Sequence, residues 1–256
     1  MVNNISWKKI CDDYSILNHN FKIAPFPLSA RQIKLSCQKF KETSEKEVRI
    51  LCKQDSREDR PDIFIKNNLF LLPVKNGYYN IIRGEGYINL PEIHDEIVVY
   101  SSKLDFKLDT TRIGDSEMQH LDYAYAASLI RTFTKDPSLV LTIRGRKYTP
   151  AFEFKIGEQL IKVEGVQTEV DAGYEGREQI VLIEAKNFNA ANVIIRQLYY
   201  PFRQWQEHTN KKVVTLFFDK TRGDDVYSIW EFEFTDPENY NSIRLIKSGK
   251  FRIIGN

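Results

Sequence analysis

A chain of 256 residues is long enough for one large domain or two small ones, and 42% hydrophobic content supports a real core. A net charge of only +2 argues against a broadly basic coat that would hold nucleic acid unaided. No run approaches the roughly 20 apolar residues of a membrane span, and the N-terminal MVNNISWKKICDDY lacks a signal-peptide core, so a cytoplasmic protein with no membrane partner is expected.

Cys11, Cys37 and Cys52 are odd in number and lack metal-ligand spacing, which makes buried free thiols the expectation. His19, His94, His120 and His208 are scattered, without paired spacing. With no Walker A loop, GxSxG elbow or CxxC, the chain has no mark of a zinc hydrolase, a serine hydrolase or a nucleotide cofactor.

In chain order, Ile5 to Leu17 reads as a helix, and Pro25 and Pro27 break the chain before Ser29, an N-cap with Gln32 at capping-box distance. In the next helix Ile33, Cys37 and Phe40 form an apolar stripe, while Arg31, Lys34, Gln38 and Lys41 fall on another face with no acid among residues 30 to 41. Such a basic, amide-bearing face suits phosphates and base edges in a major groove, and equally suits water. A short helix to Cys52 follows, then the charged DSREDRPD. From Ile63 to Leu90 strands are expected: FIKNNLFLLPV, a turn at Lys75-Asn76-Gly77, and YYNIIRGEGYINL with a turn at Gly84-Glu85-Gly86. Helices followed by hairpins resemble a winged-helix arrangement. A boundary near Ser101 divides residues 1–100, a DNA-recognition region by this reading, from residues 101–256.

The second region opens with EMQHLDYAYAASLIRTF, helical by the spacing of Met118, Leu121, Tyr125 and Leu129 and capped by Asp115 or Ser116. Pro137 closes it. Leu139 to Ile143, Ala151 to Ile156 and Leu160 to Thr168 read as strands, with turns at Gly145 and Gly157. The stretch EVDAGYEGREQIVLIEAK, Glu169 to Lys186, then reads as a hairpin turning near Arg177 and Glu178. Ile180 to Ile183 is apolar on both faces, as in a covered central strand. Glu184 and Lys186 share one face, and pairing about the turn sets Asp171 opposite Glu184. Charges at the end of a buried strand are costly unless paired, hydrated or holding a metal. Asn187 to Glu207 is a second helical pattern, with Ile194, Leu198, Phe202 and Trp205 buried and Pro201 dividing or kinking it. Lys212 to Phe218, Tyr227 to Phe234 and Ile243 to Ile254 are further strands. The order implies an α/β (α+β) protein: a central mixed sheet flanked by helices, behind an N-terminal α+β region.

Asp171 followed by Glu184-Ala185-Lys186 resembles the PD-(D/E)XK nuclease superfamily, and the chain length resembles its type II restriction endonucleases. The likeness spans roughly Arg112 to Lys220, with Val170 where the motif's proline would stand. It implies a restriction-endonuclease-like core and Mg²⁺-dependent, sequence-specific hydrolysis of double-stranded DNA leaving 5′-phosphate ends, with Mn²⁺ a substitute. A homodimer would match a symmetric target. The alternatives are a structure-specific or repair nuclease, or a DNA-binding module that does not cut. Asp171, Glu184 and the carbonyl of Ala185 would hold the metal, joined by Glu117 of the preceding helix, with Asp122 its rival. Lys186 would position or deprotonate the attacking water, or bind phosphate as a point charge. Glu169 could assist. Gln197, on the helix after Glu-x-Lys, matches a superfamily glutamine, whereas Tyr200 is explained equally by packing. Arg196 and Arg203, seven apart on that helix, join the Arg31 to Lys41 face as DNA contacts.

Overall fold

The structure, a computed structural model, describes residues 3–110, 114–187, 190–221 and 225–255. The expected start of the likeness at Arg112, and Phe188 and Asn189 of the second helical pattern, lie outside them. The N-terminal elements are α1 (Asn4–Asp13), β1 (Phe26–Ser29), α2 (Ala30–Cys37), α3 (Thr43–Lys46), α4 (Val48–Leu51), α5 (Asp62–Lys66), β2 (Leu69–Lys75) and β3 (Tyr78–Arg83). After β4 (Tyr87–Asn89) and β5 (Val98–Ser101) come α6 (Glu117–Ala126), α7 (Leu129–Thr134), β6 (Val140–Tyr148), β7 (Phe152–Ile156) and β8 (Gln159–Val163). The chain continues through β9 (Gln167–Glu175), β10 (Gln179–Asn187), β11 (Asn192–Ile194), α8 (Ile195–Gln206), β12 (Lys212–Lys220), β13 (Val226–Phe234) and β14 (Ile243–Ile254).

Ser29 caps α2 as expected: its Oγ accepts the Gln32 N–H at 3.3 Å, and Gln32 Oε1 accepts the Ser29 N–H at 2.9 Å. The helix is shorter than its apolar stripe implied. Cys37 is its last residue, Gln38 its C-cap, and Lys41 lies beyond, so Arg31, Lys34, Gln38 and Lys41 do not form one helical face. Ile63 to Lys66, expected as strand, is one turn of helix after Pro61, whose fixed φ suits a helix entrance. β1, β3 and β2 form an antiparallel sheet in that order, with the expected turn at Gly77 taken up by its φ of 75°.

That small sheet is a wall between two cores. Leu69, Leu71 and Ile81 face Trp7, Ile10, Ile33 and Phe64 on one side. Phe70, Leu72 and Ile82 face Phe154, Leu198, Tyr199 and Tyr240 on the other, as strand alternation requires. The expected division at 100/101 falls at the end of β5, and the chain ahead of it already belongs to the second half: β4 pairs with β11 and β5 runs parallel to β14.

Among the described residues the large sheet has seven strands, ordered β5-β14-β13-β12-β10-β9-β6. It is mixed. β10 and β12 are parallel and joined through α8, while β9 and β10 form the expected antiparallel hairpin. Helices cover both faces: Val181, Ile183 and Ala185 pack beneath Leu121, Ala124 and Ile130 of α6 and α7, and Ile180 and Leu182 pack with Trp205 of α8. α8 runs unbroken, with Pro201 inside it. The mixed α/β architecture with helices on both faces is therefore present.

One irregularity governs the site. Gly145 pairs with Val170 and Ile143 with Gly173, so the single Arg144 on β6 faces both Asp171 and Ala172 on β9. This is a β-bulge, which bends a strand and re-aims a side chain. Accordingly Val170 joins Ile180 and Leu182, while Ala172, two residues on, packs on the opposite face with Val181. Gly145, expected in a turn, lies inside β6 with a φ of 79° beside the bulge.

Candidate active site

The hairpin pairs Ile180 with Glu175 and Ile183 with Ala172; one step further the ladder gives way to a side chain. There Asp171 Oδ2 accepts the Ala185 N–H at 2.8 Å. Glu184 is 7% exposed and its Oε1 accepts both the Lys186 ammonium and, at 2.7 Å, Gln197 Nε2 from α8. Glu117 begins α6, capped by Ser116, whose Oγ accepts the Gln119 N–H at 3.2 Å. Its Oε1 accepts the Asn187 N–H at 3.2 Å, tying the helix start to the end of β10. Asp171, Glu184, Lys186, Glu117 and Gln197 thus line one cleft of about 460 Å³, together with Glu169, Arg146, Arg196, Arg49, Lys53 and Asp55.

Other expected residues stand elsewhere. Asp122 is ion-paired to Arg144 and does not line the cleft. Glu169 lines the cleft with Asp171, but it is exposed and ion-paired to Arg146 at 3.2 Å. Tyr200 is fully buried and its hydroxyl donates to Pro73 O at 2.9 Å, a packing role. Arg203 also serves the core: Nη1 donates to Glu153 O at 3.1 Å and Pro237 O at 2.6 Å, and the guanidinium lies 5.1 Å from the Phe152 ring centroid. It is buried and does not line the cleft. Arg31, Gln38 and Lys41 are exposed on the N-terminal half, away from the cleft. Arg196 does reach it, held 3.6 Å from Asp55. The expectation omitted Arg49 and Lys53, whose i,i+4 spacing was a legible signal.

Burial raises the Glu184 carboxyl to about 8 against the pull of Lys186, and nearby Asp171 adds to the rise. Burial also raises Asp171, opposed by the Ala185 N–H and Lys186. For Lys186 burial acts downward, but Glu184, Asp171 and Glu117 together outweigh it and its ammonium is held above the ordinary lysine range. A lysine so held is a poor base near neutrality and a good fixed positive charge.

Among the described residues no three Asp, Glu, His or Cys side chains are gathered as a ready metal-ligand set. The donors present nonetheless fit a hydrated Mg²⁺ or Mn²⁺, which takes one or two carboxylates and keeps several waters. Asp171 and Glu184 supply hard oxygens, and the buried Gln197 Oε1, without a hydrogen-bond partner, is an acceptor for a water of hydration. Cys11 and Cys52 are inert by contrast, burial pushing each thiol up to about 12.

Fold and cleft together define a mixed α/β protein with a carboxylate-lysine-amide site at the end of a central hairpin, walled on the N-terminal side by α4 and the loop after it. The chain belongs to the family described as Domain of unknown function (DUF6997), whose model matches residues 82–252. A second family model, Domain of unknown function (DUF6996), matches residues 4–81. No curated protein and no solved structure matches the chain.

Proposed function

We propose that this protein is a Mg²⁺-dependent endonuclease of the PD-(D/E)XK kind, a type II restriction enzyme that hydrolyses double-stranded DNA as a homodimer and leaves 5′-phosphate ends. The observation carrying the proposal is the meeting of Asp171, Glu184 and Lys186, from two strands, at one end of a cleft rimmed by arginine and lysine. The order α6, β6, β9-β10 hairpin, α8, parallel β12 also supports it.

Bound between Asp171 and Glu184, the metal would neutralise the scissile phosphate and lower the pKa of a water. Asp171, fixed by the Ala185 N–H, keeps its carboxylate at the bulge. Gln197 and Lys186 hold Glu184 Oε1 from two sides and so orient the carboxyl. Lys186, kept charged, attracts a phosphate oxygen and stabilises charge developing in the transition state. Glu117, which accepts the Asn187 N–H two residues beyond the Ala185 N–H that holds Asp171, adds negative potential at the same end.

Plasmid DNA incubated with the purified protein and Mg²⁺ is expected to give discrete fragments. Asp171→Ala and Lys186→Ala are each expected to lower the rate by at least about a hundredfold. Variants that cut as well as wild type would overturn the site, and wild type that never cuts would overturn the activity. Preference for flaps or mismatches over a fixed sequence would assign a repair or structure-specific nuclease instead.

A further inference from the structure

The carboxylate cleft does not end at Arg49 and Lys53. A second cleft of about 480 Å³ shares Arg49, Lys53, Asp55, Gln167 and Arg196 with it and runs on between α2, α4 and the β2–β3 turn, past Lys34 and Lys75. The result is one groove with a polarity. At one end stand Asp171, Glu184 and Glu117; along the rest, cations prevail over Glu47, Asp55 and Glu169.

The cations are built differently. Arg196 is held by Asp55 at 3.6 Å, and the loop carrying Asp55 is fastened to the strand ahead of α8, since Ile194 N–H donates to Asp55 O at 2.9 Å and Arg57 N–H to Asn192 Oδ1 at 2.7 Å. Glu58 in turn accepts Asn192 Nδ2 at 2.9 Å. That fastening fixes the end of α4 against the start of α8. Arg49, by contrast, has no ion-pair or hydrogen-bond partner among the described residues, and Lys53 is 74% exposed with only Asp55 at 3.9 Å. Exposed cations on a fixed backbone, beside a site that would bind a phosphodiester, can take a neighbouring phosphate without first breaking a strong pair.

Resting on the nuclease reading, we propose that the groove is a backbone channel for duplex DNA, in which Arg49 and Lys53 clamp phosphates flanking the scissile one and Lys34 and Lys75 extend the track. The N-terminal half would then be a wall of the substrate site, with Arg49 of α4 and Lys53 beside the strand being cut and, of the Arg31 to Lys41 set, Lys34 alone lining the groove.

The test uses the full chain and a fluorescently labelled duplex in EDTA, with affinity followed by anisotropy over a series of salt concentrations. Arg49→Ala/Lys53→Ala is expected to bind about tenfold or more weaker and to reduce the slope of log K against log salt by about 2. Lys8→Ala/Lys212→Ala, exposed cations outside the groove, is expected to bind as wild type. All four residues are exposed, so the thermal transition should not move. If the Arg49/Lys53 pair binds with unchanged affinity and slope, or the Lys8/Lys212 pair loses as much, the channel is overturned while cleavage by wild type would leave the nuclease reading standing. Wild type that neither binds nor cuts duplex DNA overturns both.

Discussion

Glu184 is the residue on which burial acts most plainly. Its carboxyl loses its proton near 4.5 in an unfolded chain and near 8 in the fold, so between those values the folded protein holds more protons than the unfolded one. Stability must therefore fall as pH rises from about 4.5 to about 8, by up to about 1.4 kcal/mol per pH unit, and Asp171 acts in the same sense. Lys186 does not disturb this window: its raised folded pKa stabilises fully below 10.5 and is lost only at more alkaline pH. Thermal unfolding in magnesium-free buffer should show the loss in wild type and a flatter profile in Glu184→Gln; equal slopes would refute it. Arg203 supplies the contrast. Truncating it removes hydrogen bonds to the Glu153 and Pro237 carbonyls and a ring contact, so Arg203→Ala should cost about 2–4 kcal/mol in urea unfolding. Its affinity for DNA should hold below the melting transition, and a selective loss of affinity would restore the reading of Arg203 as a DNA contact.

At the scale of elements the hairpin and its bulge decide the geometry. A regular β9 would carry Val170 and Ala172 on one face, and the register shift between Ile143 and Gly145 of β6 separates them. Gly173 permits the close approach involved: a β-carbon there would lie 2.7 Å from Ile143 Cβ, nearer than real atoms pack. Gly173→Ala should therefore destabilise by about 1–3 kcal/mol and, because Asp171 is two residues away, lower the proposed cleavage more than its stability loss explains. Calorimetry and rates measured well below the transition separate the two effects. An unchanged melting temperature would mean that β6 yields without cost. The hairpin register about Arg177 and Glu178 was legible because alternation and a polar turn are local signals. The bulge was not, since it arises from the partner strand more than 20 residues away.

Across the whole molecule the two family segments share their packing. Phe70 and Leu72, ahead of residue 82, lie in the same core as Phe154 and Tyr199, and a β-carbon on Gly86 would strike the Phe70 ring. Tyr200 and Gln159 reach across to Pro73 O and Phe21 O. A shared core melts as a unit, so differential scanning calorimetry should give one transition with equal calorimetric and van't Hoff enthalpies. Two resolved transitions would show that the halves fold independently.

By itself the sequence determined what depends on neighbours a few residues apart: the Ser29 cap, the Gly77 turn, the strand from Ile243 to Ile254, and the alternation that sets Glu184 and Lys186 on one face of β10. Only the tertiary structure decided which charges meet. Arg203 and Arg196 share a helix, yet one is drawn into the core by backbone carbonyls and the other is held at the cleft by Asp55. Arg49 and Lys53 arrive beside Asp171 through a fastened loop, far along the chain. Helical and strand periods are properties of local backbone geometry, whereas the approach of distant charges depends on how both cores pack against the small sheet between them.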